Sequence, residues 1–214
     1  MTTLLLIRHG ESQANLDEVW AGAEFDSPLT ETGRKQALKT AEYVFENFKV
    51  DKVYSSDLMR AYNTGKPIAD KFSIPIVADE ELREIYSGDW ERVGFDELKK
   101  NYAKSFEVWH KDIGHAQPDN GEKVSELQKR FCDEVEKIAK ENDGKTVVIT
   151  THSTPIRAFQ CKYRKNSLDE MKDIPWVSNA SVTVVEYRDG KYTFKAIGVD
   201  DFMGEIRTSL PDKV

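Results

Sequence analysis

Four side chains of this sequence could together hold and attack a phosphate ester. They are Arg8, His9, Arg60 and His152, and each follows a predicted strand. An arginine is permanently charged, and its planar fork matches two oxygens of a phosphate group. A neutral histidine ring carries a lone pair that can act as a nucleophile. These residue types predict a site that neutralises a phosphate dianion and accepts its phosphoryl group.

His9 is the expected nucleophile. Positive charge from Arg8, Arg60 and His152 disfavours the imidazolium form, so the His9 ring should be neutral near pH 7. A bound phosphate would weaken that effect. The second ring nitrogen needs an acceptor that fixes the tautomer, and the sequence does not identify this acceptor. We therefore expect phosphomonoester hydrolysis through a transient phosphohistidine on His9.

The leaving oxygen of the ester needs a proton, and Glu84 is the best candidate donor. It lies in the predicted loop Glu81–Glu91, beside a possible substrate entrance. Burial, a second carboxylate or an adjacent phosphate would raise its pKa and keep it protonated. The ionised group could later activate water. On chemistry alone, Glu81, Asp89 or Glu91 could fill this role instead.

The sequence contains no recognisable metal-binding pattern. Its four histidines form neither an H-E-x-x-H nor an H-x-H pattern, and there is no C-x-x-C pair. The G-x-x-x-x-G-K-[ST] loop of nucleotide triphosphatases is also missing. We therefore expect a reaction that needs neither a metal nor another cofactor.

Composition limits the possible partners and location. The 214 residues carry a formal net charge of −7, which argues against general nucleic-acid binding. The apolar stretch Thr2–Ile7 is too short for a signal peptide or a membrane span. Two cysteines, Cys132 and Cys161, are too few for a disulfide framework. A cytoplasmic protein that acts on a small phosphate ester is the expectation, either as a monomer or as a homodimer.

Strands and helices alternate along the chain. The predicted strands are Thr3–Ile7, Lys52–Tyr54, Ile74–Val77, Lys145–Thr150, Val182–Tyr187 and Tyr192–Ile197. The predicted helices are one capped by Thr30, one from Ser55 or Ser56 to about Phe72 with a kink at Pro67, Glu122–Asn142 and Ser153–Tyr163. This order predicts an α/β fold, a three-layer α/β/α sandwich whose mostly parallel sheet has an antiparallel edge. The carboxyl ends of its strands would bring the cationic side chains together.

No linker or internal repeat divides the sequence. We expect one domain over residues 1–214, with a helical insertion at about 91–118. The segment Phe95–Ile113 has weak helical periodicity and four lysines, which suggests a surface position.

Four sequence blocks resemble the histidine phosphatase superfamily, the phosphoglycerate-mutase-like enzymes. The blocks occur in the family's order and are Leu5–Ser12 with Asn15 and Leu29–Gly33, Tyr54–Ala61 with Thr64, Glu84 with Gly88–Glu91, and Thr150–His152 with Ile156-Arg157. The resemblance implies a fold of the kind predicted above and catalysis without a metal. It also favours Glu84 over the other carboxylates as the acid and base.

The resemblance implies further roles. His9 would be phosphorylated, with Arg8, Arg60 and His152 forming the phosphate pocket. Asn15 would contact the phosphate, and the loop around Gly22 would line the substrate side.

The sequence departs from the family pattern at three places. Thr154-Pro155 replaces a small, flexible pair, so this turn should be stiffer. Ser153 follows His152 where the family has glycine; its backbone N–H can still serve the pocket, although its side chain could crowd it. Arg92 stands where the family has glycine after Trp90-Glu91, and could either contact a second anionic group or be solvated.

Two other activities compete with hydrolysis. The mutases of the family hold phosphoglycerate with adjacent arginines in the insertion, and residues 91–118 contain no such pair. This favours a phosphatase over a mutase. A non-catalytic protein that binds phosphorylated ligands is the alternative from another class. The sequence does not identify the substrate.

Overall fold

The computed structural model describes residues 1–165 and 167–208, and a six-stranded sheet lies at its centre. The strands are β1 (Thr2–Arg8), β2 (Lys52–Ser56), β3 (Ile76–Asp79), β4 (Thr146–Thr151), β5 (Val182–Arg188) and β6 (Lys191–Val199). Their order is β3-β2-β4-β1-β5-β6. The first four in this order pair in parallel, and β5 and β6 pair antiparallel at one edge. The predicted mixed sheet is confirmed.

Helices cover both faces of the sheet. They are α1 (Gln13–Leu16), α2 (Glu31–Asn47), α3 (Met59–Phe72), α4 (Phe95–Asn101), α5 (Ala103–Lys111), α6 (Val124–Glu141) and α7 (Ser153–Gln160). A π-helical turn, Cys161–Lys165, extends α7, and short 3₁₀ turns occupy Glu80–Leu82, Gly88–Trp90, Ile113–His115, Leu168–Asp173 and Asp201–Ile206. In the described part of the chain, no helix is both long and apolar enough to span a membrane.

The alternation of side chains along β1 explains the two helical layers. Leu4 and Leu6 point to one face and join a core cluster with residues of α6 and α7. Leu5 and Ile7 point to the other face and join a cluster with residues of α2 and α3. All four side chains are fully buried. A strand covered on both faces must be apolar throughout, which is why β1 shows no polar alternation.

Most observed element boundaries differ from the predicted ones by a residue or more, and three of these differences lie between α3 and α4 or within α3. The third strand begins at Ile76 rather than Ile74, because Ser73 ends α3 in the left-handed conformation and an irregular link follows. The helix that contains Pro67 begins at Met59, and it continues across the proline to Phe72. The predicted loop Glu81–Glu91 contains the two 3₁₀ turns nearest Glu84.

The predicted surface position of Phe95–Ile113 holds for most of its residues, which are exposed, but one apolar face of the segment is buried. The segment forms α4 and α5, separated at Tyr102, and its apolar side chains build a second core. Leu98, Phe106 and Trp109 are at most 2% exposed. They are buried against aromatic residues from two other segments of the chain. Weak periodicity concealed this burial, because the partners lie far away in the sequence.

The carboxyl ends of three parallel strands meet at one edge of the sheet. Arg8 of β1 lies opposite Thr151 of β4, and Ser55 of β2 lies opposite Thr150. The residue that follows each strand therefore projects from the same edge. In sheets of this kind, the crevice at the carboxyl ends is the usual ligand site.

Candidate active site

His9 lies directly after β1 and is held by its own backbone. Its N–H donates to the Thr151 carbonyl at 2.9 Å, and its carbonyl accepts from the Ala180 N–H at 3.1 Å. The ring nitrogen Nδ1 lies 2.7 Å from the Gly10 carbonyl oxygen. Since a carbonyl only accepts, Nδ1 must carry the hydrogen, and in the neutral ring the lone pair is on Nε2. Gly10 thus supplies the acceptor that the sequence left unidentified.

Two buried arginines stand beside this ring. Arg8 and Arg60 are each about 1% exposed. The Arg8 Nη1 donates to the Val177 carbonyl at 2.7 Å, and the Arg60 Nη2 donates to the Gly22 carbonyl at 2.7 Å. The Nε atom of each has no hydrogen-bond partner among the described residues. Burial lowers the pKa of Arg8 to about 10, so its guanidinium stays charged near neutral pH.

These charges act on His9 as expected. Burial lowers its pKa well below the ordinary value, and the charges of Arg60 and then Arg8 lower it further. The ring is 5% exposed and lines a cavity. It is therefore a neutral imidazole in a positive environment, which is the state a nucleophile needs.

His152 is the N-cap residue of α7 and lies beside His9. The two ring centroids are 5.3 Å apart, and the His152 Nε2 lies 2.9 Å from the Ser56 hydroxyl. The ring is completely buried, and its Nδ1 has no partner in the described ranges. Burial, followed by the charge of Arg60, lowers the pKa of His152 well below its ordinary value. His152 is therefore neutral, and the prediction that it adds positive charge beside His9 was wrong, because its complete burial disfavours the charged ring.

Glu84 approaches from the loop between β3 and α4. Its side chain is 6% exposed, and burial is the main cause that raises its pKa. Backbone N–H groups of Ile85 and Thr154 donate to its two oxygens at 2.9 and 3.3 Å, which opposes that rise. The Ser153 hydroxyl is 3.4 Å from the same carboxyl. Glu84 and Ser153 line the cavity together with His9.

Asn15 also lines the cavity, and its orientation is fixed by Asn179, which no sequence motif indicated. The Asn179 amide donates to the Asn15 Oδ1 and to the His9 carbonyl, each at 3.2 Å. The Ser12 N–H also donates to Asn15 Oδ1, at 3.1 Å. Because Oδ1 accepts both bonds, the amide group of Asn15 is the part that can donate to a ligand. Nothing in the local sequence around Asn179 indicates this role; only the pairing of β5 with β1 brings it here.

Gly22 lies behind the cavity wall, and its neighbour Ala21 lines the cavity. The Gly22 N–H donates to Glu91 at 3.0 Å, while its carbonyl holds Arg60. A Cβ at this position would lie 2.1 Å from the Ser87 Oγ, so the close approach requires glycine. The loop therefore positions Arg60 through its backbone, whereas a contact between Gly22 and substrate remains a prediction.

Beyond His9, the two arginines and Glu84, the wall of the cavity is largely aromatic. The cavity is partly open to solvent. Its remaining walls come from separate segments, and they are Ser12, Val19, Trp20, Phe95, Trp109, Thr154 and Trp176. Arg92 is absent from this wall, and its guanidinium lies over the Phe25 ring at 4.7 Å from the centroid.

No group of three or more His, Cys, Asp or Glu side chains in residues 1–165 and 167–208 is arranged to hold a metal ion. The donors around His9 are two arginines, a second histidine and one carboxylate. Two permanently charged groups of this kind suit an anion rather than a cation.

Comparison with known proteins places this geometry in a family. The model of branch 1 of the histidine phosphatase superfamily matches residues 4–200. Phosphoserine phosphatase 1 of Hydrogenobacter thermophilus is 27% identical over 205 residues, which cover 96% of each chain. A metal-independent phosphoserine phosphatase of Arabidopsis thaliana is 30% identical over 194 residues, covering 90% of this chain and 79% of the relative.

A solved structure, Bacillus stearothermophilus YhfR, has the same fold. It is 31% identical with a TM-score of 0.90, and the match covers 95% of this chain and 100% of that one. The resemblance inferred from the four sequence blocks is confirmed, as is the prediction of a phosphatase. The chain belongs to branch 1 of the histidine phosphatase superfamily.

Proposed function

We propose that this chain hydrolyses small phosphate monoesters by transferring the phosphoryl group first to His9 and then to water, without a metal. One observation carries the proposal. A neutral His9 ring, with Nδ1 bonded to the Gly10 carbonyl, lines a cavity that it shares with two buried arginines and a buried carboxyl. No other constellation in the described residues combines a nucleophile, charge neutralisation and a proton donor.

The substrate phosphate would lie against Arg8 and Arg60. Their charges neutralise the dianion, and their fixed positions require little reorganisation during the reaction. His152 and the Asn15 amide would add hydrogen bonds to the remaining phosphate oxygens. A bound dianion also offsets the positive field on His9, so occupancy of the site changes the proton affinity of that ring.

In the first half-reaction, the lone pair on His9 Nε2 attacks phosphorus. The N–P bond forms as the bond between phosphorus and the ester oxygen breaks. Protonated Glu84 donates its proton to this oxygen, and the alcohol leaves neutral. The His9 Nδ1–H bond to Gly10 keeps the ring oriented throughout the transfer.

In the second half-reaction, water replaces the alcohol. The Glu84 carboxylate takes one proton from the water, whose oxygen attacks phosphorus while the N–P bond breaks. Inorganic phosphate leaves, His9 regains its lone pair, and Glu84 is protonated again. Backbone N–H donors from Ile85 and Thr154 stabilise Glu84 in its ionised state between the two steps.

Steady-state assays in the presence of a chelator test the proposal. We expect wild-type protein to release phosphate from small esters with EDTA present, and His9→Ala to lower kcat/KM by about 10⁴-fold or more. A wild-type chain quenched during turnover should carry a phosphoryl group that is labile in acid and stable in base. His115→Ala, which removes an exposed histidine, is the matched control and should keep full activity.

Two results would reject the proposal. Activity that requires added metal would contradict the mechanism, as would a His9→Ala variant that turns over normally. Phosphate binding without any phosphohistidine would favour the non-catalytic alternative. An assay of phosphoglycerate interconversion, with and without bisphosphoglycerate, separates hydrolysis from mutase activity.

A further inference from the structure

The walls of the cavity beyond the phosphate-holding groups carry information about the alcohol half of the substrate. We infer that the site selects phosphate monoesters of uncharged, largely apolar alcohols, with an aromatic group favoured, over charged esters such as phosphoserine or phosphoglycerate. The inference rests on the proposed function and narrows its substrate class. Its two supports are the shape of the apolar wall and the distribution of charge around the cavity.

The aromatic rings of the apolar wall are held in place by contacts with one another. Trp20, Phe95 and Trp109 are each at most 6% exposed, and all three line the cavity. The Trp20 ring meets the Trp109 ring edge-on at a centroid distance of 4.9 Å and the Phe95 ring at 6.1 Å. Edge-to-face contacts of this kind fix the ring orientations. Val19 and Trp176, which are only partly buried, complete the wall towards solvent.

The ionisable groups that line the cavity are few. In the described ranges, the ionisable side chains that line it are those of Arg8, His9, Arg60 and Glu84. Each of these has a role in binding or transferring the phosphoryl group. A phosphoserine substrate would also place an ammonium and a carboxylate in the cavity. Neither charge would find an ionic partner there, and the loss of hydration would oppose its binding.

Arg157 and Arg92 add no cation to the residues that line the cavity. The Arg157 guanidinium lies over the Trp176 ring at 4.2 Å from the centroid, and its Nη2 donates to the Lys172 carbonyl. Arg157 and Lys172 line a separate groove next to Trp176. Arg92 is engaged with Phe25. The structure therefore offers an aromatic surface, and not a cation, to the group attached to the ester oxygen.

A matched set of esters tests the inference on the wild-type enzyme. Ethyl phosphate, 2-phenylethyl phosphate and O-phosphoserine are all esters of primary alcohols, so their leaving groups are similar. We expect kcat/KM for the phenylethyl ester to exceed that for phosphoserine, and that for ethyl phosphate, by about tenfold or more, because a buried ring gains apolar contacts. Phosphoserine hydrolysed as fast as the phenylethyl ester would overturn the inference.

Substitutions in the cavity wall test whether its side chains cause the preference for the phenylethyl ester. Trp176→Ala should lower kcat/KM for the phenylethyl ester about fivefold or more and leave ethyl phosphate within about twofold. Phe45→Ala removes an exposed aromatic side chain remote from the cavity and should change neither value. Val19→Lys places a cation in the wall and should shift preference towards 3-phosphoglycerate. A Trp176→Ala variant that loses activity equally on both esters would contradict the proposed contact.

Binding separates this inference from the proposed hydrolysis. The phosphonate isosteres of the phenylethyl ester and of phosphoserine cannot be hydrolysed, and calorimetry can measure their affinities for wild-type protein. Tighter binding of the phenyl compound without any ester turnover would support the inference and reject the proposed hydrolysis. Turnover accompanied by tighter binding of the phosphoserine isostere would do the reverse.

Discussion

At the scale of single residues, burial acts in the same direction on two groups with different roles. It favours the uncharged form of each, lowering the pKa of His9 and raising the pKa of Glu84. In the proposed mechanism, the uncharged form of His9 is the nucleophile and the uncharged form of Glu84 is the acid. One physical cause therefore prepares both partners for the first half-reaction, while the adjacent arginines add to the effect on His9.

Replacement of Glu84 tests its role as the acid. Glu84→Gln keeps the shape but cannot donate a carboxyl proton, so we expect turnover of alkyl esters to fall about 10²–10⁴-fold. A 4-nitrophenyl ester has a good leaving group and should lose far less in the same assay. The ratio of the two losses is the measurement, and equal losses on both esters would reject Glu84 as the acid. Glu81→Gln, on the same loop but exposed, is the control.

The pH profile of the wild-type enzyme also tests whether Glu84 acts as the acid. Because the acid form of Glu84 is required, kcat/KM for an alkyl ester should fall as pH rises through the raised pKa of this carboxyl. The profile in Glu84→Gln should lack that limb.

At the scale of elements, the loop after β1 and the first turn of α2 fit together through two glycines. Thr30 caps α2 by accepting the Gly33 N–H at 2.9 Å. A Cβ on Gly33 would lie 2.0 Å from the Glu11 carbonyl oxygen, and one on Gly10 would lie 2.5 Å from the Gly33 oxygen. The loop that begins next to His9 therefore packs directly against the backbone at the start of α2.

Substitution of Gly33 should disturb stability and activity together. Gly33→Ala forces two backbone segments apart, and we expect it to lower the free energy of unfolding by about 2 kcal/mol. It should also lower kcat/KM, since the loop begins next to His9. Gly94→Ala is the matched control, because a Cβ there meets nothing within 4 Å. Urea unfolding and steady-state kinetics on both variants provide the comparison; equal stability of the two would show that the contact is not strained.

A second element, the loop 22–25, links the phosphate pocket to the segment after Glu84. Glu91 accepts the N–H groups of Gly22 and Phe25, at 3.0 and 3.1 Å, and the carbonyls of these two residues accept from Arg60. Glu91 therefore fixes the position of this loop, and the carbonyl groups of the loop in turn fix the position of the Arg60 guanidinium. On chemistry alone, Glu91 was a candidate for the acid, but its hydrogen bonds to Gly22 and Phe25 give it a role in holding this loop.

At the scale of the whole molecule, the buried histidines couple folding to pH. Because the folded-state pKa values of His9 and His152 are lowered, the unfolded chain binds protons that the folded chain rejects once pH falls below about 6.5. The raised pKa of Glu84 acts in the opposite direction, because the folded chain keeps that proton at a higher pH than the unfolded chain does. Two buried histidines act against one carboxyl, so stability should decline as the solution is acidified.

Urea unfolding at pH 7.5 and at pH 5.5 measures this coupling. We expect the free energy of unfolding to fall with a limiting slope of about 1.4 kcal/mol per pH unit for each excess proton. His9→Asn should flatten the dependence. His115→Asn should not flatten it, because Asp112 raises the pKa of this exposed ring. A wild-type stability that is constant across this range would contradict the burial of neutral histidines.

The sequence by itself determined the sheet, its two helical layers and the residues at the carboxyl ends of the strands. Continuous apolar runs and helical periodicity are local patterns, and the cationic residues lie within a few positions of a strand end. The position of these residues next to strand ends was therefore enough to predict which chemical groups the site contains. The same patterns did not indicate the buried apolar face of Phe95–Ile113, because that burial depends on aromatic partners in distant segments.

Only the tertiary structure decided the state of these groups. The Gly10 acceptor depends on the ring orientation of His9, and Asn179 reaches the site because β5 pairs with β1. The pKa shifts of His9 and Glu84 depend on burial, which is a property of the packed molecule and not of any segment. The aromatic cavity wall is likewise assembled from segments far apart in the chain. Local patterns specify which groups are available, whereas long-range packing fixes their charge, orientation and neighbours.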